Sequence, residues 1–404
     1  MPRRRLRYVV VPVGMLLGVG AAAAAALAAS AVVVARTIVT PPRKPDEPIR
    51  ILQVAPDSRL VTLSATLDTV VPGRYSFWFD GDSGHARLGR IVARDNESVT
   101  REVVEVSFGD LVDAKRGRFA GWWYLDPHEL GLPHETVLLE TDFGAAPAWR
   151  FDPPRTKAQR TPRRNLWAIH VHGRGSRRQE ALRAVPIFQE RGYTSLVVSY
   201  RNDGDGPRSD DGRYGLGSTE WRDVDAALRY AVDNGASHVV LMGWSMGGAI
   251  VLQAAARTEL KDRIDGIILE SSVVDWADVL RFQANEVGVP RPTAEGALRM
   301  LDAPAASRLL GHRAPIGLPE MNWVERANEL TKPMLMLHSD DDGVAPPFAP
   351  RALAAKRPDI IEFARFDTAR HTKLWNYDPE RWTAVIGSWL DELPTRPAAA
   401  RPDA

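Results

Sequence analysis

Ser245 lies in "HVVLMGWSMGGAIVL" (residues 238–252), between glycines at 243 and 247, with an apolar run ahead of it and a small-residue apolar run behind. A serine hydroxyl is protonated at neutral pH and attacks poorly until a base takes its proton, and that base needs a carboxylate to orient it. Both follow downstream. "LMLHSDDDGVAPP" supplies Asp340, Asp341 and Asp342, and "FDTARHTKLW" supplies His371, with no other histidine after Asp342. The acid must leave the end of its strand and reach a histidine on the next loop. Asp342, directly before Gly343, is best placed; Asp340 would lie close to the strand, and Asp341 and Asp275 remain as alternatives. Upstream, "HVHGRGS" follows a predicted strand at the place where an oxyanion needs an amide donor. His170 and His172 point to one strand face, as metal ligands do, but no nearby acid or further histidine completes a set. Neither a metal nor a cofactor is expected.

These residues need a framework that ends strands in loops on one side. From Leu166 onward short apolar runs alternate with helical periods: "LWAIHVHG", "TSLVVSY", "HVVLMGW", "DGIILESS", "KPMLMLHSD" and "DIIEFARF" read as buried strands. "SRRQEALRAVPIFQERG" and "STEWRDVDAALRYAVDNG" read as helices, the second with Ser218 as N-cap and Gly235 as its stop. Near-continuous apolar strands separated by helices predict an α/β class, a doubly wound, mostly parallel sheet. At Ser245 a strand must turn abruptly into a helix, and the flanking glycines leave room for a tight turn that lifts the hydroxyl above the sheet. The stretch 276–328 exceeds what a crossover requires and is expected to form a lid, with Trp276, Phe282, Leu298 and Trp323 lining a pocket; a packed peripheral helix pair is the alternative.

The rest of the 404 residues divides around this region. Residues 1–48 hold Arg3, Arg4, Arg5 and Arg7, an uncharged run from Tyr8 to Ala35, and a Pro-rich linker. The run exceeds the ~20 residues that span a bilayer, so an N-terminal transmembrane helix is expected, with the chain beyond it extracytoplasmic because the basic cluster precedes it. A cleaved signal peptide with secretion, and an unanchored leader, are the alternatives. Residues 49–150 alternate apolar and polar positions, as at Val61, Leu63, Ala65 and Leu67, at Tyr75, Phe77 and Phe79, and at Val104, Val106 and Phe108, which predicts a smaller β-rich accessory domain. "GWWYLDP" reads as packing aromatics. Residues 151–164 read as a linker, 165–393 as the α/β domain and 394–404 as a disordered tail. A net charge of +1 gives no sign of a nucleic-acid partner, and the absence of cysteine excludes a thiol nucleophile, a disulfide framework and a lipid-modified cysteine anchor. Nothing in the sequence indicates an oligomeric state.

On G-W-S-M-G, H-G-R-G, an Asp before "GVAPP" and a His after the last strand, residues 165–393 resemble the α/β-hydrolase superfamily, in particular bacterial serine hydrolases of the esterase and S9/S33-peptidase-like type. The spacing from His338 through Asp342 to Pro346 is similar to that superfamily's "HGxxDxxVP" pattern. The resemblance implies Ser245 as nucleophile, Asp342 as acid, His371 as base, and the backbone N–H groups of Met246 and Arg174 as oxyanion donors. It implies a serine hydrolase cleaving a carboxylic ester, small-molecule or lipid-like, through an acyl-enzyme. A peptidase or amidase with the same triad, and a non-catalytic binding protein on a hydrolase scaffold, are the rival readings.

Overall fold

The computed structural model of the chain describes residues 13–42, 46–154 and 165–393; for 13–24 only the helical backbone is described. The expected tail at 394–404, the first twelve residues and most of the expected linker therefore lie outside the described residues.

The alternating segment closes on itself. Strands β1 (Ile49–Val54), β2 (Leu60–Ser64), β3 (Tyr75–Phe79), β4 (Gly84–Arg94), β5 (Ser98–Phe108) and β6 (Arg116–Ala120) pair antiparallel in the order β1-β2-β5-β4-β3-β6, a closed barrel without free edges. Its interior is filled by Val61, Leu63, Tyr75, Phe77, Phe79 and Leu88. Two expectations change here. Leu67 lies beyond the end of β2 and is exposed, and Val104 and Phe108 face outward. The β4–β5 pairing shifts register repeatedly, which changes the inward phase, so Val106 packs on the barrel core as expected but is joined there by Val103.

The second body is an eight-stranded sheet in the order β14-β13-β12-β11-β9-β10-β8-β7. Strands β9 (Leu166–Val171), β10 (Thr194–Val198), β11 (His238–Trp244), β12 (Ile264–Glu270), β13 (Met334–Ser339) and β14 (Ile361–Phe366) are parallel and correspond to the six expected runs. Strands β7 (Glu135–Thr141) and β8 (Gly144–Phe151) form a hairpin that extends this sheet antiparallel to β10. The boundary expected at 150 is thus misplaced: residues 135–151 belong to the large sheet, because Leu139, Ala146 and Ala148 feed one of its cores while Trp149 and Phe151 feed the other.

Helices cover both faces. They are α1 (Val13–Val39), α2 (Val185–Glu190), α3 (Trp221–Asp233), α4 (Met246–Arg257), α5 (Trp276–Glu286), α6 (Arg291–Asp302), α7 (Pro304–Leu310), α8 (Phe348–Lys356), α9 (Leu374–Tyr377) and α10 (Pro379–Glu392). The helix expected before Gly192 is only the short α2, preceded by a 3-10 turn; Pro186 sits in its first turn, where a missing N–H is tolerated. Ser218 does not cap α3. The Glu220 carboxylate turns back instead and accepts from Gly215 and Gly217 N–H, at 2.6 and 2.9 Å.

Among the described residues no helix is long and apolar enough to cross a membrane; the first part of the expected span, from Tyr8, lies outside them. The end of α1 packs on protein. Ala31, Ala35 and Val39, at four-residue spacing on one face, are buried in the core cluster that includes Ala297, Leu298 and Leu310. Gly296 allows this approach, since a Cβ there would lie 3.1 Å from Ala31 Cβ.

Candidate active site

Ser245 occupies the turn from β11 into α4 with φ +52° and ψ −119°, a conformation that L side chains rarely adopt. Its neighbours explain how the turn closes. A Cβ on Gly243 would lie 2.5 Å from Gly247 backbone, and one on Gly247 would lie 2.2 Å from the carbonyl oxygen of Val171. Gly248 is equally constrained, since a Cβ there would lie 2.0 Å from Ser272 Oγ. Ser245 N–H donates to Glu270 O at 3.1 Å, and its carbonyl accepts from Gly248 and Val273 N–H.

The three expected side chains meet at this turn. The Ser245 hydroxyl donates to His371 Nε2 at 2.9 Å, and His371 Nδ1–H donates to Asp342 Oδ2 at 2.8 Å. Asp342 is buried, and its Oδ1 accepts from Val344 and Ala345 N–H, both at 2.9 Å. Burial pushes its carboxyl up, but the His371 imidazole and its hydrogen bond, His338 and the Ala345 amide outweigh this and bring it down to about 2. The other acids go elsewhere. Asp340 pairs with Arg351 and Arg365, Asp341 pairs with Arg370 at 3.0 Å, and Asp275 caps α5 by accepting from Ala277 and Asp278 N–H.

Met246 is the first residue of α4, so its N–H has no partner within the helix. The loop of Arg174 passes beside the serine: a Cβ on Gly173 would lie 3.2 Å from Ser245 Cβ. The amides flanking Arg174 are pinned, Gly173 N–H to Glu180 Oε2 and Gly175 N–H to Asp203 Oδ2, both at 2.7 Å. Burial pushes the Asp203 carboxyl up to about 7, against the pull of Gly175 N–H and the hydroxyls of Tyr214 and Tyr200. Glu180 and Asp203 were not singled out by sequence reasoning; Glu180 follows the Gly-rich HGRG turn, and Asp203 opens the Gly/Asp-rich loop after β10.

A cleft of about 200 Å³ opens on Ser245 and His371, walled by Ile38, Trp276, Val279, Leu280 and Val344. Helix α5 is therefore the part of the 276–328 stretch that reaches the site. Of the expected lining residues only Trp276 faces the cleft, its indole N–H held by Leu216 O at 2.7 Å; Leu298 and Trp323 are buried in the core beneath. Ile38 comes from the end of α1, where the Arg174 guanidinium donates to the carbonyls of Thr37, Ile38 and Thr40. That a leader segment would wall the cleft has no local signature in the sequence.

His170 donates to or accepts from Ser195 Oγ at 3.1 Å and packs edge-on against Phe188, with no carboxylate on its other nitrogen. His172 stacks on Tyr200, its Nδ1 bonded to Gly173 O. Burial brings their imidazoles down to about 3 and about 4. Among the described residues no group of three His, Cys, Asp or Glu is arranged to hold a metal.

Residues 168–386 match the model of the alpha/beta hydrolase family. The chain belongs to the alpha/beta hydrolase family. Residues 50–120 of this hydrolase, which make up the barrel, match a domain of unknown function (DUF8805). A search of curated protein sequences finds no match. Among solved structures, the Pyrococcus furiosus esterase Pf2001 is similar in two crystal forms, with TM-scores of 0.50 and identities of 14% and 15%, covering 67% and 68% of this chain and 96% of that one. Est1E from Butyrivibrio proteoclasticus is 19% identical with a TM-score of 0.46, covering 64% of this chain and 98% of its own. The likeness to Pf2001 is one of fold.

Proposed function

We propose that this alpha/beta hydrolase cleaves carboxylic esters through an acyl-enzyme, with Ser245 as nucleophile, His371 as base and Asp342 as the orienting acid. The supporting observation is the unbroken relay from the Ser245 hydroxyl through both ring nitrogens of His371 to a buried, ionised Asp342. In this reading Ser245 Oγ attacks the ester carbonyl while Nε2 takes its proton, and the oxyanion rests against the amides of Met246 and Arg174. His371 returns the proton to the departing alkoxide. Water then repeats the sequence on the acyl-enzyme. The apolar cleft suits an acyl chain, and no carboxylate among the described lining residues is placed to receive a peptide amino terminus. The similar fold of the Pyrococcus furiosus esterase Pf2001 supports the ester reading over the amidase. Turnover of p-nitrophenyl esters of graded chain length, beside aminoacyl anilides, tests it. Hydrolysis of the anilides alone would replace ester with amide; labelling of Ser245→Ala by a fluorophosphonate equal to wild type would remove the nucleophile.

The same reading holds the enzyme at a membrane through the apolar run that begins at Tyr8, with the catalytic domain extracytoplasmic and the substrate a small or lipid-like ester. Recovery in the membrane pellet supports this. A soluble exported form beginning near residue 30 would refute it.

A further inference from the structure

The barrel matches a domain of unknown function, and its loops converge on one place. Asp68, on the loop between β2 and β3, faces Lys373 at 3.4 Å and Arg370 at 3.5 Å, the residues on either side of the His371–Thr372 pair. A few residues on, Arg74 N–H donates to Asn376 O at 3.0 Å, and Asn376 Nδ2 donates back to Arg74 O at 2.9 Å. The contact is close: Gly73 has φ +121°, and a Cβ there would lie 2.3 Å from Asn376 O. Beyond β6, a Cβ on Gly121 would lie 2.6 Å from Thr372 O. Trp123 and Tyr124 pack against Trp375.

The loop between β2 and β3 is itself held from within the barrel. Arg101, fully buried on β5, donates to the carbonyls of Thr69, Val71, Gly73 and Gly89. A buried guanidinium satisfied by backbone carbonyls, with no acid paired to it among the described residues, is a costly arrangement whose effect is to fix that backbone. The held loop needs fixing too. Thr372, next to His371, has φ +52°, which a β-branched residue adopts only where its surroundings over-determine it.

We propose that the barrel is a clamp on the histidine loop, with Asp68 and Arg101 as positioning residues that hold the His371 imidazole at hydrogen-bond distance from Ser245. This rests on His371 acting as the base of the reaction proposed above. A misplaced base penalises the chemical step and leaves the acyl-binding walls of the cleft untouched.

The test uses the full-length protein. Asp68→Asn should lower kcat for a p-nitrophenyl ester by between about 10- and 100-fold, with KM within about twofold, thermal unfolding unchanged, and faster amide exchange confined to residues 370–377. Asp68→Glu should recover most of kcat, and Arg101→Lys should speed exchange in the same segment. Glu102→Gln, which removes the exposed Arg90 pair on the same barrel, should match wild type. Amide exchange reads the clamp even if the ester is not a substrate, so absence of wild-type turnover overturns the ester reading alone. Asp68→Asn with wild-type kcat and wild-type exchange overturns the clamp.

Discussion

Arg183 and Glu270 form an ion pair at 3.4 Å with side chains 1% and 0% exposed, directly behind the turn that presents Ser245. Glu270 also accepts the indole N–H groups of Trp244 and Trp382, both at 2.8 Å, and Arg183 donates to Gly121 O and Asn376 Oδ1. Removing one partner strands the other charge in the interior. Arg183→Met should destabilise by about 3–5 kcal/mol, read as a lowered midpoint in denaturant, and Arg183→Met with Glu270→Gln should recover part of the loss. A single variant as stable as wild type would show that the pair is not needed.

The three adjacent acids separate cleanly. Asp342→Asn removes the carboxylate that accepts from His371 Nδ1 and should cost roughly 10⁴-fold in kcat with little change in KM, because the imidazole loses its tautomer and charge support. Asp340→Asn and Asp341→Asn break exposed arginine pairs and should stay within about threefold. Steady-state kinetics of the three variants decide the assignment; Asp342→Asn as the mildest would reverse it.

Acid should weaken the fold through His170 and His172. Both stay neutral in the native state down to about 3 and about 4, against an ordinary 6.5. Below that ordinary value the unfolded chain binds the extra protons, so the stabilisation is complete above it and is lost as pH falls toward 4. Each residue contributes a slope of up to roughly 1.4 kcal/mol per pH unit. Urea midpoints between pH 7 and 4.5 should fall less steeply for His170→Phe than for wild type; parallel curves would contradict the linkage.

Ile38 forms part of the wall of the cleft. Ile38→Trp should raise KM for long acyl chains several-fold and affect the acetyl ester less, since the larger ring narrows the cleft that a long chain has to fill. A chain-length series reads the difference, and equal effects on short and long chains would place Ile38 outside the acyl path.

The parallel strands and the serine turn were legible because their signals are local: continuous apolar runs, glycines at 243 and 247, and acids ahead of Gly343. The hairpin of β7 and β8 was not, since an antiparallel pair alternates alike whether it closes a barrel or edges a sheet. Repeated bulges hid which side of β5 faces inward. The most distant relationships left no trace in any window: Ile38 walling the cleft of Ser245, Asp68 beside Lys373, and Arg101 gripping a loop whose own sequence names no partner.

Those contacts also order events during synthesis. The hydrogen bonds from Lys373 to Asp68 and from Asn376 to Arg74 close over 305 and 302 residues, and the one between His371 and Ser245 over 126. A ribosome releases the serine turn, the barrel and the end of α1 well before residue 371 clears its exit. Until then the nucleophile has no base, and the barrel that will receive the histidine loop has nothing to grip. Long-range closure of this kind comes late and slowly, so the growing polypeptide lacks the hydrogen bond between Ser245 and His371 until residues 370–377 reach the barrel.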